Sequence, residues 1–323
     1  MAKRKGSDMG KSHKKQHYVP ASYLKAWCDP DRPATHEPYV WVFERDGTSC
    51  HRRAPHKLFT ETDMYTIETA DGGRDLRIEA TLSMLEDRFT RMRISKFDHQ
   101  RPLTPEEHVY LCTFVAAAQF RTAASRDHHA SQWQNVLKIA DDLAAKMKSA
   151  TAEQRESAAQ ISELSSGKGQ SFTHEQVRQL ATKPLQNMMA PVLRTTVPIL
   201  LQMDFAIYST SDDVGFITSD RPCTWFDPEA YKMPPFFRSP ALGSKTIEVT
   251  MPISPRQCLC LNWHGYTGYL DASNLLLDEF NRRHRFHCKN QYVVRRDLRN
   301  DYWFYEQEAP DDAWEKRHAG EAP

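Results

Sequence analysis

The order in which two hydrophobic periodicities follow one another constrains the fold of this chain more than any other feature. Between about residue 75 and residue 203, apolar side chains recur at three- and four-residue spacing, as in Ile78, Leu82, Leu85, Phe89 and Met92. Such a stripe marks an amphipathic helix with one buried face. From about residue 204 to 296 the pattern changes to short apolar and β-branched runs bounded by turn residues, at 205–210, 215–218, 246–253 and 257–262. Those runs read as strands. Helices gathered in the middle and strands grouped after them predict an α+β protein and not a repeating βαβ fold. The expected architecture is a central, mostly antiparallel sheet packed by long helices, preceded by a small N-terminal β element. That element is read from Tyr39 to Glu44, the Asp46-Gly47 turn, and the run from Met64 to Ile67.

Local signals refine this outline. Thr104-Pro105-Glu106-Glu107 is a helix start, with Thr104 as N-cap, proline at the first position and acids favoured by the helix dipole. One long helix is predicted from there through Ala116–Ala118, Gln119, Arg121, Arg126 and His128. On it Gln119 and Arg126 fall in line with Cys112 and Ala116, while Arg121 and His128 share the opposite face. If buried, Arg126 needs a carboxylate, which Asp220 or Glu79 is expected to supply. Residues 149–171 read as a polar helical excursion ending in Ser165-Ser166-Gly167-Lys168-Gly169-Gln170; the glycine spacing and following Ser/Thr of a phosphate loop are missing there. Residues 173–203 are expected to be helical with breaks near Pro184, Pro191 and Pro198. A last helix at 273–287 and a strand at 292–294 close the pattern.

At 323 residues, with 40% hydrophobic and 26% charged side chains, the chain has the make-up of a globular protein with a sizeable core. One α+β domain is expected over residues 17–310, between a disordered basic tail at 1–16 and a flexible tail at 311–323. Lys3, Arg4, Lys5, Lys11, Lys14 and Lys15 against Asp8 give the start a local charge of +5, while the whole chain carries +1. Such a tail is either a solvated end or a contact for nucleic acid through phosphate neutralisation. No apolar run approaches the roughly 18 residues of a membrane span, and the lysine-rich start lacks the apolar core of a secretory signal, so a cytoplasmic protein is expected. The 7 cysteines are scattered without a C-x-x-C pair. Reduced, mostly buried thiols are expected, in preference to a zinc site drawn from Cys258, Cys260, His284, His287 and Cys288.

The stretch Gly215-Phe216-Ile217-Thr218-Ser219-Asp220-Arg221-Pro222 is read as a buried strand stopped by a proline, with polar groups gathered at its end. It is expected inside the sheet, beneath the helices that begin near Ile78 and Val109. Asp220 is either a functional carboxylate or the acceptor of a turn. His17 stands just before a short amphipathic helix that opens at Pro20 and carries Tyr23, Leu24 and Trp27. Glu79 and Glu86 lie seven residues apart beside the apolar stripe of their helix, and neither has a basic residue at i+4.

Three of these blocks together resemble an uncharacterised bacterial family, domain of unknown function 4238. They are His17-Tyr18-Val19-Pro20 with Tyr23-Leu24; Gln119-Phe120-Arg121-Thr122; and Phe216 to Pro222 followed by Met251-Pro252-Ile253-Ser254-Pro255. Asn281 and Tyr292-Val293-Val294 extend the resemblance to about Arg296, and it departs at Ala21 and Trp27, where glutamine and phenylalanine are expected. The resemblance implies a fold unit and no mechanism.

The residues support two functional readings. In the first, the protein is a hydrolase acting on nucleic acid, in the setting of phage defence or a toxin system. His17, Gln119, Arg121 and Asp220 form the site, and Asp220 with Glu79 or Glu86 holds a divalent cation such as Mg or Mn. A variant uses Arg121 and His128 alone, after the pattern of helical HEPN ribonucleases. In the second, the same polar residues form a buried structural network inside a non-catalytic binding or regulatory module. The two readings differ on whether His17, Gln119, Arg121 and Asp220 surround an open pocket or a sealed core.

Overall fold

A computed structural model describes residues 15–165 and 172–305. The basic start up to Lys14, the Gly167-Lys168-Gly169 stretch and the expected tail at 311–323 lie outside the described residues. In chain order the elements are β1 (Lys15–His17), α1 (Ala21–Leu24), β2 (Val40–Glu44), β3 (Cys50–Arg53), β4 (Thr60–Thr62), β5 (Ile67–Glu68) and β6 (Arg74–Asp75). Then come α2 (Arg77–Ser95), α3 (Pro105–Phe120), α4 (Ala123–Ser149), α5 (Ala152–Ser165), α6 (His174–Thr182) and α7 (Pro184–Leu200). The chain continues through β7 (Asp204–Ser209), β8 (Thr218–Ser219), β9 (Thr224–Phe226), β10 (Glu248–Ser254), β11 (Gln257–Asn262), β12 (Gly268–Asp271), α8 (Asn274–His287) and β13 (Gln291–Val294). The protein is α+β, with helices in the middle and mostly antiparallel sheets.

A five-stranded sheet runs in the order β12-β7-β11-β10-β9, antiparallel except where β12 lies parallel to β7. Every residue of β11 is buried, as a central strand with both faces covered requires. Pro252 fits within β10 because the partner strand β9 reaches only to Thr250 and the register with β11 shifts just beyond the proline, so its missing N–H breaks no ladder. A four-stranded antiparallel sheet, β3-β2-β13-β8, carries the N-terminal hairpin. The small N-terminal β element is therefore built into a sheet completed by the end of the domain, while most of the run from Met64 to Ile67 forms a turn. β1 and β4 form a separate pair. Gln16 in β1 is fully buried, donating to Thr66 Oγ1 at 3.1 Å and accepting from the Tyr65 N–H at 2.7 Å. Lys15 and Gln16, assigned above to the tail, thus belong to the body.

The main core joins Tyr23, Leu24 and Trp27 to Leu82, Leu85, Phe89 and Met92 of α2, to the apolar side of α3, and to Val249, Met251, Ile253, Leu259 and Leu261. Phe89 stacks on Phe114 with ring centroids 3.9 Å apart and planes 6° from parallel. α3 opens on a capping box: the Glu107 N–H donates to Thr104 Oγ1 at 3.2 Å and the Thr104 N–H donates to the Glu107 carboxylate at 2.7 Å. Pro184 sits at the first position of α7, where its missing N–H is harmless, while Pro191 and Pro198 lie within that helix. Cys258 and Cys260 are buried beside Phe216, Leu277 and Phe280 in an apolar cluster. No helix among the described residues is long and apolar enough to cross a membrane.

Two expectations are corrected. The single helix through residues 104–128 is two helices. Arg121 ends α3 with ψ near 0°, Thr122 is extended, and Thr122 Oγ1 accepts from the Ser125 N–H at 3.1 Å to start α4. A Thr N-cap restarts the helix in a new direction, so Arg121 and His128 share no helix face, and the reading based on that pair loses its geometry. The run from Gly215 to Thr218 is likewise not an interior strand. Only Thr218 and Ser219 enter a ladder, at the edge of the four-stranded sheet beside β13, with α8 packed against them.

Candidate functional site

Arg121, Asp220 and Asn281, all singled out by the sequence, each anchor a buried polar arrangement. In the first, the helix break after α3 places Arg121 against β1 and α2. Its side chain is 3% exposed. Nη1 donates to Glu86 Oε1 at 2.6 Å, Nη2 donates to the His17 carbonyl at 2.5 Å, and the guanidinium lies 5.6 Å from the Tyr65 ring centroid. The Tyr65 hydroxyl donates to the Arg121 carbonyl at 2.8 Å. Burial works against the charge on Arg121, but Tyr65 and Glu86 outweigh it and its pKa lies above the ordinary arginine value. Burial pushes the Tyr65 hydroxyl up to about 12. Every strong donor direction of the guanidinium used here ends on a protein acceptor, which is what a buried arginine requires.

The second arrangement surrounds Asp220, 3% exposed, at the end of β8. Oδ1 accepts the Lys289 N–H at 2.8 Å, and Oδ2 accepts the N–H groups of Asn290 at 2.7 Å and Gln291 at 3.2 Å. The carboxylate thus closes the turn from α8 to β13, and the Asp220 N–H donates to the Gln291 carbonyl at 3.0 Å. Burial raises the Asp220 pKa, and the three N–H donors pull it back without cancelling the rise.

The third arrangement replaces the missing ladder of residues 215–217. Asn281 of α8 accepts the Ile217 N–H at 2.9 Å and donates to the Gly215 carbonyl at 2.9 Å. Trp27 Nε1 donates to the Phe216 carbonyl at 2.8 Å, and the Phe216 N–H donates to the Pro255 carbonyl at 2.8 Å. The Tyr23 hydroxyl donates to the Pro252 carbonyl at 2.7 Å and meets Thr218 Oγ1 at 2.8 Å. The side chains of Trp27 and Asn281, with the Pro255 carbonyl, thereby satisfy backbone groups of residues 215–217 that no neighbouring strand reaches.

Of the four candidate catalytic residues, His17 and Arg121 come together, through the His17 backbone. The His17 ring, half-buried, contacts the His56 carbonyl through Nε2 at 3.2 Å, and burial lowers its pKa, so the ring is neutral near pH 7. Gln119 is half-buried on α3 and its amide has no hydrogen-bond partner among the described residues. Asp220 is held in its own turn and makes no hydrogen bond or ion pair with His17, Gln119 or Arg121; its charge acts on Tyr18, which also feels Glu61 and Arg126. Arg126 pairs with Glu61 and Asp127, not with Asp220 or Glu79.

The proposed metal donors do not fit a cation. Both Asp220 oxygens face N–H donors, Glu86 is committed to Arg121, and Glu79 is half-buried on α2 near Tyr65. Among the described residues no group of three or more His, Cys, Asp or Glu side chains is arranged to hold a metal ion. Tyr65, Glu61 and the clasp made by Asn281 complete these networks. Tyr65 and Glu61 have no motif of their own, and only the hydrophobic setting of Tyr65 marks it.

Fold and site together define an α+β protein whose most distinctive polar residues tie distant segments into one body. The chain belongs to the family described as Protein of unknown function (DUF4238), whose model matches residues 15–298. No curated protein and no solved structure matches the chain.

Proposed function

We propose that this protein is a binding or regulatory module in which the polar residues of the family blocks brace the fold. The observation that carries the reading is the sealing of Arg121 and Asp220: each is within a few per cent of full burial and its charged atoms end on protein partners. A group that acts on substrate has to present an atom to it. The Asp220 carboxylate has no oxygen free of an N–H donor, and the Arg121 fork is divided between Glu86 and a backbone carbonyl.

The reading of a hydrolase acting on nucleic acid has one observation in its favour. The half-buried His17 imidazole is neutral near pH 7 and feels the charge of Glu86, a setting that suits a general base. One experiment separates the two readings. Asp220→Asn and Arg121→Gln are compared with wild type by urea unfolding and by cleavage assays on DNA and RNA with Mg or Mn. The bracing role predicts a loss of about 3 kcal/mol for each variant, since a buried partner is left facing nothing or a like dipole. It also predicts no cleavage that these substitutions selectively remove. Metal-dependent cleavage by wild type that Asp220→Asn abolishes at unchanged stability would reverse the conclusion.

A further inference from the structure

Where the β10–β11 turn meets the end of α2, the surface opens into a cavity of about 470 Å³, a size usual for small-molecule sites. Three arginines from distant parts of the chain line it: Arg93 near the end of α2, Arg256 in the turn, and Arg295 just after β13. Among the described residues Asp98 is the one carboxylate in the lining, and it stands 4.0 Å from Arg93. Arg256 donates to the Asp212 carbonyl. Arg295 is half-buried and has no hydrogen bond or ion pair among the described residues; burial and the charges of Arg256 and Arg296 lower its pKa. Asp31 and Asp213 act on Arg295 from outside the lining, so within the lining itself three guanidinium groups face one carboxylate.

The same cavity contains two side-chain oxygens that have lost water without gaining a protein partner. One is Ser209 Oγ; the other is Oε1 of Gln257, a residue only 6% exposed whose amide donates to the Phe97 carbonyl at 2.8 Å. A buried acceptor left unpaired costs about 1–3 kcal/mol, which a ligand donor relieves.

We infer that this cavity binds a small phosphate monoester carrying hydroxyl groups, of the size of a sugar phosphate or nucleoside monophosphate. The inference rests on the binding-module reading and names its ligand class. The three guanidinium groups less Asp98 leave a charge near that of a phosphate monoester, about −2 at neutral pH, and guanidinium matches phosphate oxygens in pairs. A sugar hydroxyl supplies the donor that Gln257 Oε1 lacks, and Ser209 Oγ takes or gives one more hydrogen bond.

The test is calorimetric titration of the full chain with ribose 5-phosphate, inorganic phosphate, ribose and a short single-stranded oligonucleotide. Ribose 5-phosphate is expected to bind at one saturable site, more tightly than inorganic phosphate, with no heat from ribose. Arg295→Gln, which breaks no hydrogen bond or ion pair among the described residues, is expected to weaken binding about tenfold or more at a nearly unchanged melting temperature. Arg256→Gln should weaken it too, and the exposed Arg77→Gln should leave it intact. Absence of binding by ribose 5-phosphate at millimolar concentration, equal binding by Arg295→Gln and wild type, equal binding of ribose, or arginine-dependent binding of the oligonucleotide alone would each overturn the assignment. Neither arginine belongs to the Arg121 or Asp220 networks. Failure here with the expected unfolding of Asp220→Asn would sink this site and leave the bracing role standing.

Discussion

Gly215 has φ of +70°, and a Cβ placed on it would lie 1.9 Å from the Pro255 carbonyl oxygen. The backbone of the loop and that of the β10–β11 turn thus approach more closely than any side chain permits. Gly215→Ala is expected to cost about 3 kcal/mol or more in urea unfolding, from left-handed strain plus the backbone clash; a loss below about 1 kcal/mol would contradict the contact. His284 gives a second expectation at this scale. It is fully buried, with Thr224 Oγ1 3.2 Å from Nδ1 and Thr250 Oγ1 3.4 Å from Nε2. Burial first, then the charges of His287 and Arg283, pushes its pKa from 6.5 down to about 3. The unfolded chain therefore binds a proton that the folded chain refuses. Stability from the neutral ring is complete above pH 6.5 and is lost as pH falls toward 3, by about 2 kcal/mol between pH 7 and pH 5. His284→Asn should flatten that part of the stability–pH profile, and an unchanged slope would show that other groups set it.

The elements owe their limits to side chains as much as to propensity. α3 and α4 read as one helix because no Gly or Pro separates them, and the signal that divides them is a single threonine acting as N-cap. Thr122→Ala is expected to cost about 1 kcal/mol, measurable as a fall in the unfolding midpoint. The Gly215 to Thr218 run has the composition of a buried strand, and its four residues are all buried. What periodicity does not reveal is the identity of the partner that takes the backbone hydrogen bonds. Here Asn281, 64 residues further on, occupies the place of a neighbouring strand at Ile217. Asn281→Ala is expected to lose about 2–3 kcal/mol and to speed exchange of the Ile217 amide hydrogen; protection equal to wild type would mean that another group holds this amide.

For the molecule as one body, the fold class, most helices, the β7, β10, β11 and β13 strands and the family were legible in the residues alone. All of these rest on local signals: three- and four-residue stripes, short apolar runs, the Thr104 N-cap, and blocks of residues read in order. The sequence also singled out Arg121 and Asp220 as candidate site residues and placed Tyr23 and Asn281 in the family blocks; polar groups that end up buried need partners wherever the chain puts them. Which partners those are came from the folded chain, because the choice depends on loop paths that no periodicity encodes. Arg121 meets Glu86 and the His17 carbonyl, Asp220 closes a turn 69 residues later at Lys289, and Arg93, Arg256 and Arg295 reach one cavity from three separate elements. An arginine in sequence is a charge whose surroundings are unknown. Whether it braces a core or waits for a phosphate is set by burial and by the acceptors within about 3 Å, and those are supplied by residues far away along the chain.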